Sequence, residues 1–349
     1  MSYYEQRLSE DSDLLMQEVS RLANMVDQGL EDAVRALDTG NHSLAYRTIL
    51  RDGPVNRLME TVEADCHRFI AKHLPSGAHL RFVSSTMRIA LLLERMGDYA
   101  VTICRHSVQI QKPLQGTFKR EVASMAADAL QMFRQAMDAF RSRDESLARG
   151  TMGFAAQVDR DYVNALAMLR EEDPGQVGVE DLFSRLVIIR QLERVSDQAK
   201  NLCEETVFAL TGETKRRAPA TILVVDEKDD ALTHLVTALA EQQYPDKAAV
   251  TSAGRNPAGK LDPDALAFLL ENGHEVKSRS PKALAEMAKP LSSFKALISL
   301  SGPPSDFVER IPFQTVALQW EVSDRSDLEK SNQELASQLG DLVDLLRGR

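Results

Sequence analysis

"LLLERMGDYA" at residues 91–100 and "IIRQLERVSDQA" at 188–199 spell one pattern twice: an apolar residue, Glu-Arg, a second apolar residue, a small residue, then Asp. Ile89, Leu93, Met96, Ala100 and Ile103 recur 99 positions later as Ile188, Leu192, Val195, Ala199 and Leu202. Glu94, Arg95, Asp98 and Cys104 recur at the same offset as Glu193, Arg194, Asp197 and Cys203. Apolar positions and acids that share one spacing mark a tandem repeat. Steps of three and four place the repeated segment on a helix with one face in a core.

The same periodicity runs outward from residue 12 to about 211. It is interrupted near "DTGNHS" at 38, "LPSGAH" at 74, "QKPLQGT" at 111, "SRDES" at 142 and "EEDPGQVGVE" at 171. Six helices are expected, three in each repeat (about 10–111 and 117–211), forming two three-helix bundles. After "LTGETKRRAPA" at 210–220 the texture changes. "TILVVD", "AAVTSAG", "KALISLS" and "IPFQTVAL" read as short strands. Between them "ALTHLVTALAEQ", "DPDALAFLLENG" and "SPKALAEM" read as helices, with "SDLEKSNQELASQLGDLVDLL" as a closing one. Alternation of this kind predicts a parallel sheet covered on both faces. The organisation is multidomain: an all-α part over 1–213, a linker over 214–219 and an α/β part over 220–349.

The 349 residues are 43% apolar but only 5% aromatic, which suits helices packed on Leu, Ala, Met and Val. A net charge of −10 argues against a nucleic-acid partner. No apolar run reaches the ~18 residues of a membrane span, so no transmembrane segment is expected. "MSYYEQRLSEDSD" lacks the basic and apolar regions of a secretory signal, and three widely spaced cysteines fit a reducing cytoplasm. Lys215, Arg216 and Arg217 are too few to anchor the chain to lipid, and the seven histidines have no ligand spacing.

Glu94 and Asp98 stand four apart on one helical face, as do Glu193 and Asp197. Like charges at that spacing cost a few tenths of a kcal/mol unless neutralised. Arg95 and Arg194 can neutralise the aspartates within the helix, or facing helices can share a cation between carboxylates.

The segments "RDGPVNRLMETVEADCHRFIAKHLPSGAHLRFV" and "LLLERMGDYAVTICR" resemble the first repeat of the PhoU family of bacterial phosphate-signalling regulators. "AAQVDRDY" and "QLERVSDQAKNLCEETVFALTGE" resemble its second repeat, and the likeness covers about residues 10–213. The resemblance implies two three-helix bundles. It also implies metal ligands at Glu94, Asp98, Glu193 and Asp197, with Asp159 added from the preceding helix. Asn56 stands where an aspartate is common, and "HLR" at 79–81 replaces "DLR". The implied cofactor is a divalent or iron-type metal ion whose identity oxygen ligands do not fix. Implied partners are a phosphate ABC transporter and a sensor histidine kinase, with the chain as a homodimer.

"TSAGRNPAGKLDPDALAFLLENGHEVKSRSPKAL" at 251–284 is similar to a segment of the low-molecular-weight tyrosine phosphatase and arsenate reductase fold. In that frame Asp226 occupies the position of the nucleophilic cysteine and Leu232 that of the phosphate-binding arginine. The intervening Glu227-Lys228-Asp229-Asp230-Ala231 carries three acids, and no cysteine follows Cys203. Such a loop repels a phosphate dianion by several kcal/mol. The resemblance thus implies a catalytically dead module with no catalytic residue. Trp320 and Asp324 fall where the family keeps its general acid, but Arg325 replaces a proline. Asp324, Ser323 and Ser326 are expected to start the last helix, and Asp229 and Asp230 to favour the helix N-terminus that follows them. The competing readings are an arsenate reductase or phosphatase with an atypical nucleophile at Asp226, and a metal-binding helical sensor.

Overall fold

Leucine, alanine and methionine at helical spacing fold residues 3–172 and 177–214 into helices, most of them long. These are α1 (Tyr3–Thr39), α2 (His42–Leu50), α3 (Asp52–His73) and α4 (Gly77–Gln109), then α5 (Gly116–Ser142), α6 (Glu145–Met152), α7 (Ala155–Glu171) and α8 (Val179–Thr211). The computed structural model describes residues 3–172, 177–214, 218–274 and 280–347. It comprises two units, Met1–Lys215 and Arg216–Arg349. The basic run Lys215-Arg216-Arg217 lies outside the described residues.

Each repeat differs from a plain three-helix bundle in one respect. Its middle helix is split, into α2 and α3 at Arg51 and into α6 and α7 at Gly153–Phe154. Both short helices begin on a side-chain cap: the Leu44 N–H donates to Asn41 Oδ1 at 3.0 Å, and the Leu147 N–H to Asp144 Oδ1 at 3.0 Å. Pro54, within the first turn of α3, needs no intrahelical N–H partner there.

α4 and α8, the helices that carry the repeated pattern, pack along one another. Ile89, Leu93, Met96 and Ile103 of α4, with Ile188, Leu192, Val195 and Leu202 of α8, are all 0–2% exposed. The two repeats therefore share one apolar core. Asp181 in the first turn of α8 fastens the segment between repeats by accepting from the N–H groups of Gln111 (3.0 Å) and Lys112 (2.9 Å).

The second unit holds β1 (Ala220–Asp226), α9 (Leu232–Gln243), β2 (Ala248–Gly254), α10 (Pro263–Glu271), β3 (Ala296–Ser299), β4 (Val316–Gln319) and α11 (Leu328–Arg347). The four strands form one parallel sheet in the order β2-β1-β3-β4. β1 is central, and its Ile222, Leu223, Val224 and Val225 are fully buried. One sheet face packs on α9 and α11, the other on Phe294, Val308 and their neighbours.

"SPKALAEM" does not form the expected helix. Only a single 3-10 turn, Leu284–Glu286, is present. Lys282 is held extended instead: its N–H donates to Asp229 Oδ2 at 2.8 Å and its carbonyl accepts from the Gly254 N–H at 2.7 Å. Backbone bonds to the end of β2 thereby override local helix propensity.

Leu192→Ala, which empties a buried position between α4 and α8, should destabilise the first unit by about 3 kcal/mol. Urea unfolding followed by far-ultraviolet circular dichroism checks this, and a loss below about 1 kcal/mol would contradict the shared core.

Candidate functional site

The split that creates α7 brings Asp159 up to α8. There it meets Glu193 and Asp197, one turn apart on α8. One carboxylate oxygen from each of Asp159, Glu193 and Asp197 lies within 4.8 Å of the others. Glu193 is 9% exposed. Its Oε1 accepts from Arg190 Nη1 at 2.7 Å, whereas Oε2 is buried and has no hydrogen-bond partner. Burial and then the neighbouring Asp197 push the Glu193 carboxyl above its ordinary range. The same two causes, in the same order, raise Asp159.

Arg194 does not neutralise Asp197 within the helix as the simple alternative required. Its guanidinium lies over the Tyr99 ring, 5.9 Å from the centroid. Three hard oxygen donors, with a buried Glu193 oxygen that no hydrogen bond satisfies, fit a divalent or iron-type cation.

The first repeat is less concentrated. Glu94 and Asp98 lie on α4, and burial raises both carboxyls. Asp98 and Asp52 add to the rise at Glu94, and Asp52 adds to that at Asp98. Among the described residues, only the Asp159 trio gathers three ligand atoms closely. Asn56 turns to Asp52, its Nδ2 donating to Asp52 Oδ2 at 3.3 Å. Asp52 was not singled out in the sequence, although "RDGPVNR" places it one turn before Asn56 and on the same helical face.

In the second unit β1 runs into residues 227–231. Asp226 Oδ1 accepts from the Glu227 N–H at 2.8 Å, and its Oδ2 pairs with Arg325. The other end of that guanidinium donates to the Leu300 carbonyl. Asp229 is fully buried in a left-handed conformation (φ 51°). It does not cap α9. Its Oδ1 accepts from Thr233 Oγ1 at 2.7 Å, and its Oδ2 holds the Lys282 N–H. The loop also presses on Gly254, where a Cβ would stand 3.0 Å from Asp229 Cβ and from the Lys228 carbonyl carbon.

Asp324 Oδ1 binds the Ser326 N–H (3.0 Å) and hydroxyl (2.6 Å), while Ser323 donates to Glu334. The acid at the start of α11 is therefore Asp327, which accepts from the Lys330 N–H at 3.1 Å, and neither serine takes that place. No sequence pattern linked Arg325 to Asp226, because they stand 99 positions apart.

The three cysteines all lie buried in the first unit. Burial pushes the Cys66 and Cys203 thiols up to about 12 and that of Cys104 to about 11. None offers a thiolate nucleophile.

Residues 19–106 and 122–206 match the PhoU domain family. The phosphate-specific transport system accessory protein PhoU homolog of Pseudomonas aeruginosa is 28% identical over 197 residues, 55% of this chain and 80% of that protein. The PhoU accessory protein of Escherichia coli is 29% identical over 202 residues, 57% of this chain and 83% of its own. The crystal structure of the phosphate transport system regulatory protein PhoU from Streptococcus pneumoniae is 27% identical. It superposes with a TM-score of 0.55, covering 61% of this chain and 99% of that one. An arsenate reductase in its phosphate-binding state aligns with 36% of this chain and 96% of its own, at 17% identity and a TM-score of 0.30. The helical unit of this chain is thus a tandem pair of PhoU domains.

Proposed function

We propose that this chain is a cytoplasmic PhoU-type regulator of phosphate uptake and phosphate-dependent signalling. It acts by binding partner proteins, a phosphate ABC transporter and a sensor histidine kinase, and catalyses no reaction itself. The observation that carries the reading is the PhoU match across both repeats. The names of the relatives, an accessory protein of phosphate-specific transport and a phosphate transport regulatory protein, supply the process. Among the described residues no helix is long and apolar enough to cross a membrane, in keeping with a protein recruited to a transporter. The working form is a homodimer. In a strain lacking its own PhoU, this chain should restore phosphate-repressed alkaline phosphatase expression. Constitutive expression despite normal protein levels would overturn the reading.

Asp159, Glu193 and Asp197 hold a divalent or iron-type cation, and Glu94 and Asp98, with Asp52 beside them, form a second, looser site. A bound cation supplies the positive charge that three clustered carboxylates otherwise lack. Arg190 holds one oxygen of Glu193 and leaves the buried one without a hydrogen-bond partner, free to take a cation. The second unit is a pseudophosphatase retained for binding. Support comes from the engaged Asp226–Arg325 pair, the buried Asp229 and the lack of any cysteine beyond Cys203.

Elemental analysis of protein purified without chelator should find tightly held metal, lost in the Glu193→Ala/Asp197→Ala double variant. Full retention by that variant would remove the assigned ligands. In metal-free protein, the raised Glu193 carboxyl binds a proton more readily folded than unfolded. Its stabilisation is therefore complete below the ordinary glutamate value and is lost as pH rises through the raised one. Glu193→Gln should exceed the parent in stability at neutral pH, and the gap should close on acidification. A gap that denaturant titrations find constant with pH would contradict the assignment. A generic aryl phosphate should not be turned over, whereas turnover that vanishes in Asp226→Ala would revive an enzyme.

A further inference from the structure

A groove of about 650 Å³ runs between α1, α2 and the start of α3, and four arginines line it: Arg21, Arg35, Arg47 and Arg51. On α1, Arg21, Met25, Gln28, Asp32 and Arg35 follow steps of four and three, one line of about 21 Å at ~1.5 Å per residue. Met25, with Leu44 and Val55 each only 6% exposed, forms its apolar floor. The only acid lining the groove is Asp32, which is 2% exposed and organises its surroundings. Its Oδ1 accepts from Arg35 Nη2 (2.6 Å) and Gln28 Nε2 (3.1 Å), its Oδ2 from Arg51 Nη1 (2.8 Å). Both guanidiniums are thereby held in place while remaining more than half exposed. Arg47 has no side-chain partner among the described residues. Beside it on α2, Tyr46 is 55% and Leu50 78% exposed.

Four guanidiniums against Asp32 and against Glu18, which stands 3.9 Å from Arg21, leave the groove net positive on a chain of net charge −10. A free phosphate ion would use neither the length of the groove nor its apolar floor. We propose that this groove docks an acidic amphipathic helix of a partner protein, its apolar ridge against Met25, Leu44 and Val55 and its carboxylates on the arginines. Helices commonly enter grooves through residues at i, i+4 and i+7, and about 21 Å accommodates roughly four turns. Arginine is among the residue types that dominate interface energies. Planar guanidiniums take carboxylates in a two-pronged geometry that a helix can present repeatedly. The groove lies in the first repeat, separate from the acidic cluster on α7 and α8, and Asp52, which follows Arg51, is not among its lining residues.

The test uses the full chain and a fluorescein-labelled helical peptide with leucines at i, i+4, i+7 and i+11 flanked by glutamates. Fluorescence anisotropy should give saturable binding that weakens as salt rises. Arg47→Glu and Arg21→Glu alter exposed groove-lining side chains and leave the Asp32 cluster intact. Each should weaken binding about tenfold, while Arg170→Glu, an equal charge change on α7, should leave it within about twofold. Absence of saturable binding, or an equal loss in Arg170→Glu, would overturn the proposal. So would a lysine-for-glutamate peptide that binds as well. Displacement by pyrophosphate together with indifference to replacing the leucines by serine would mark a simple anion site and also overturn it.

Discussion

The contact of α4 with α8 is the constraint from which the helical unit follows. Each helix commits the same apolar positions to it, and burial of each large side chain contributes about 1.5–3 kcal/mol. Once Leu93 and Leu192 face inward, helical geometry carries Glu94, Asp98, Glu193 and Asp197 round to the edges of the contact. The packing spacing thus also determines where carboxylates gather, and which neighbouring helix can complete a cluster. α7 brings Asp159 to the second set; α3 brings Asn56 and Asp52 to the first. Each set then holds three carboxylates, but among the described residues those of the second alone bring three ligand atoms together.

Much of this was legible in the residues. The doubled pattern gave the repeat, the punctuation near 38, 74, 111, 142 and 171 lay close to helix ends, and "TILVVD" announced a buried strand. Breaks at Arg51 and at Gly153–Phe154 passed unnoticed because apolar periodicity resumes at once on either side. "SPKALAEM" has ordinary helix-forming residues and was misread, since what straightens it is a carboxylate more than fifty residues earlier. The pairing of Arg325 with Asp226 was equally invisible: long-range ion pairs leave no local spacing. Asp52 is legible as an acid one turn before Asn56 on the same helical face.

In the second unit the sheet brings acids to the end of β1, where parallel strands usually present a binding crevice. The chain satisfies them internally. Arg325 bridges Asp226 to the end of β3, and Asp229 links Thr233 to Lys282. A buried carboxylate that accepts two hydrogen bonds is a structural strut, and its removal would leave two donors stranded. The tight approach of Gly254 belongs to the same arrangement, because any side chain there would push the loop outward.

The deep placement of Cys66, Cys104 and Cys203 has a practical corollary. Thiols that stay protonated until about pH 11 or 12 are sluggish toward maleimides and mild oxidants. A reporter cysteine introduced on an exposed helix could then carry a spin label or fluorophore selectively, with the native sulfurs left in place. Distances within the α-helical unit become accessible to spectroscopy without first rebuilding its interior.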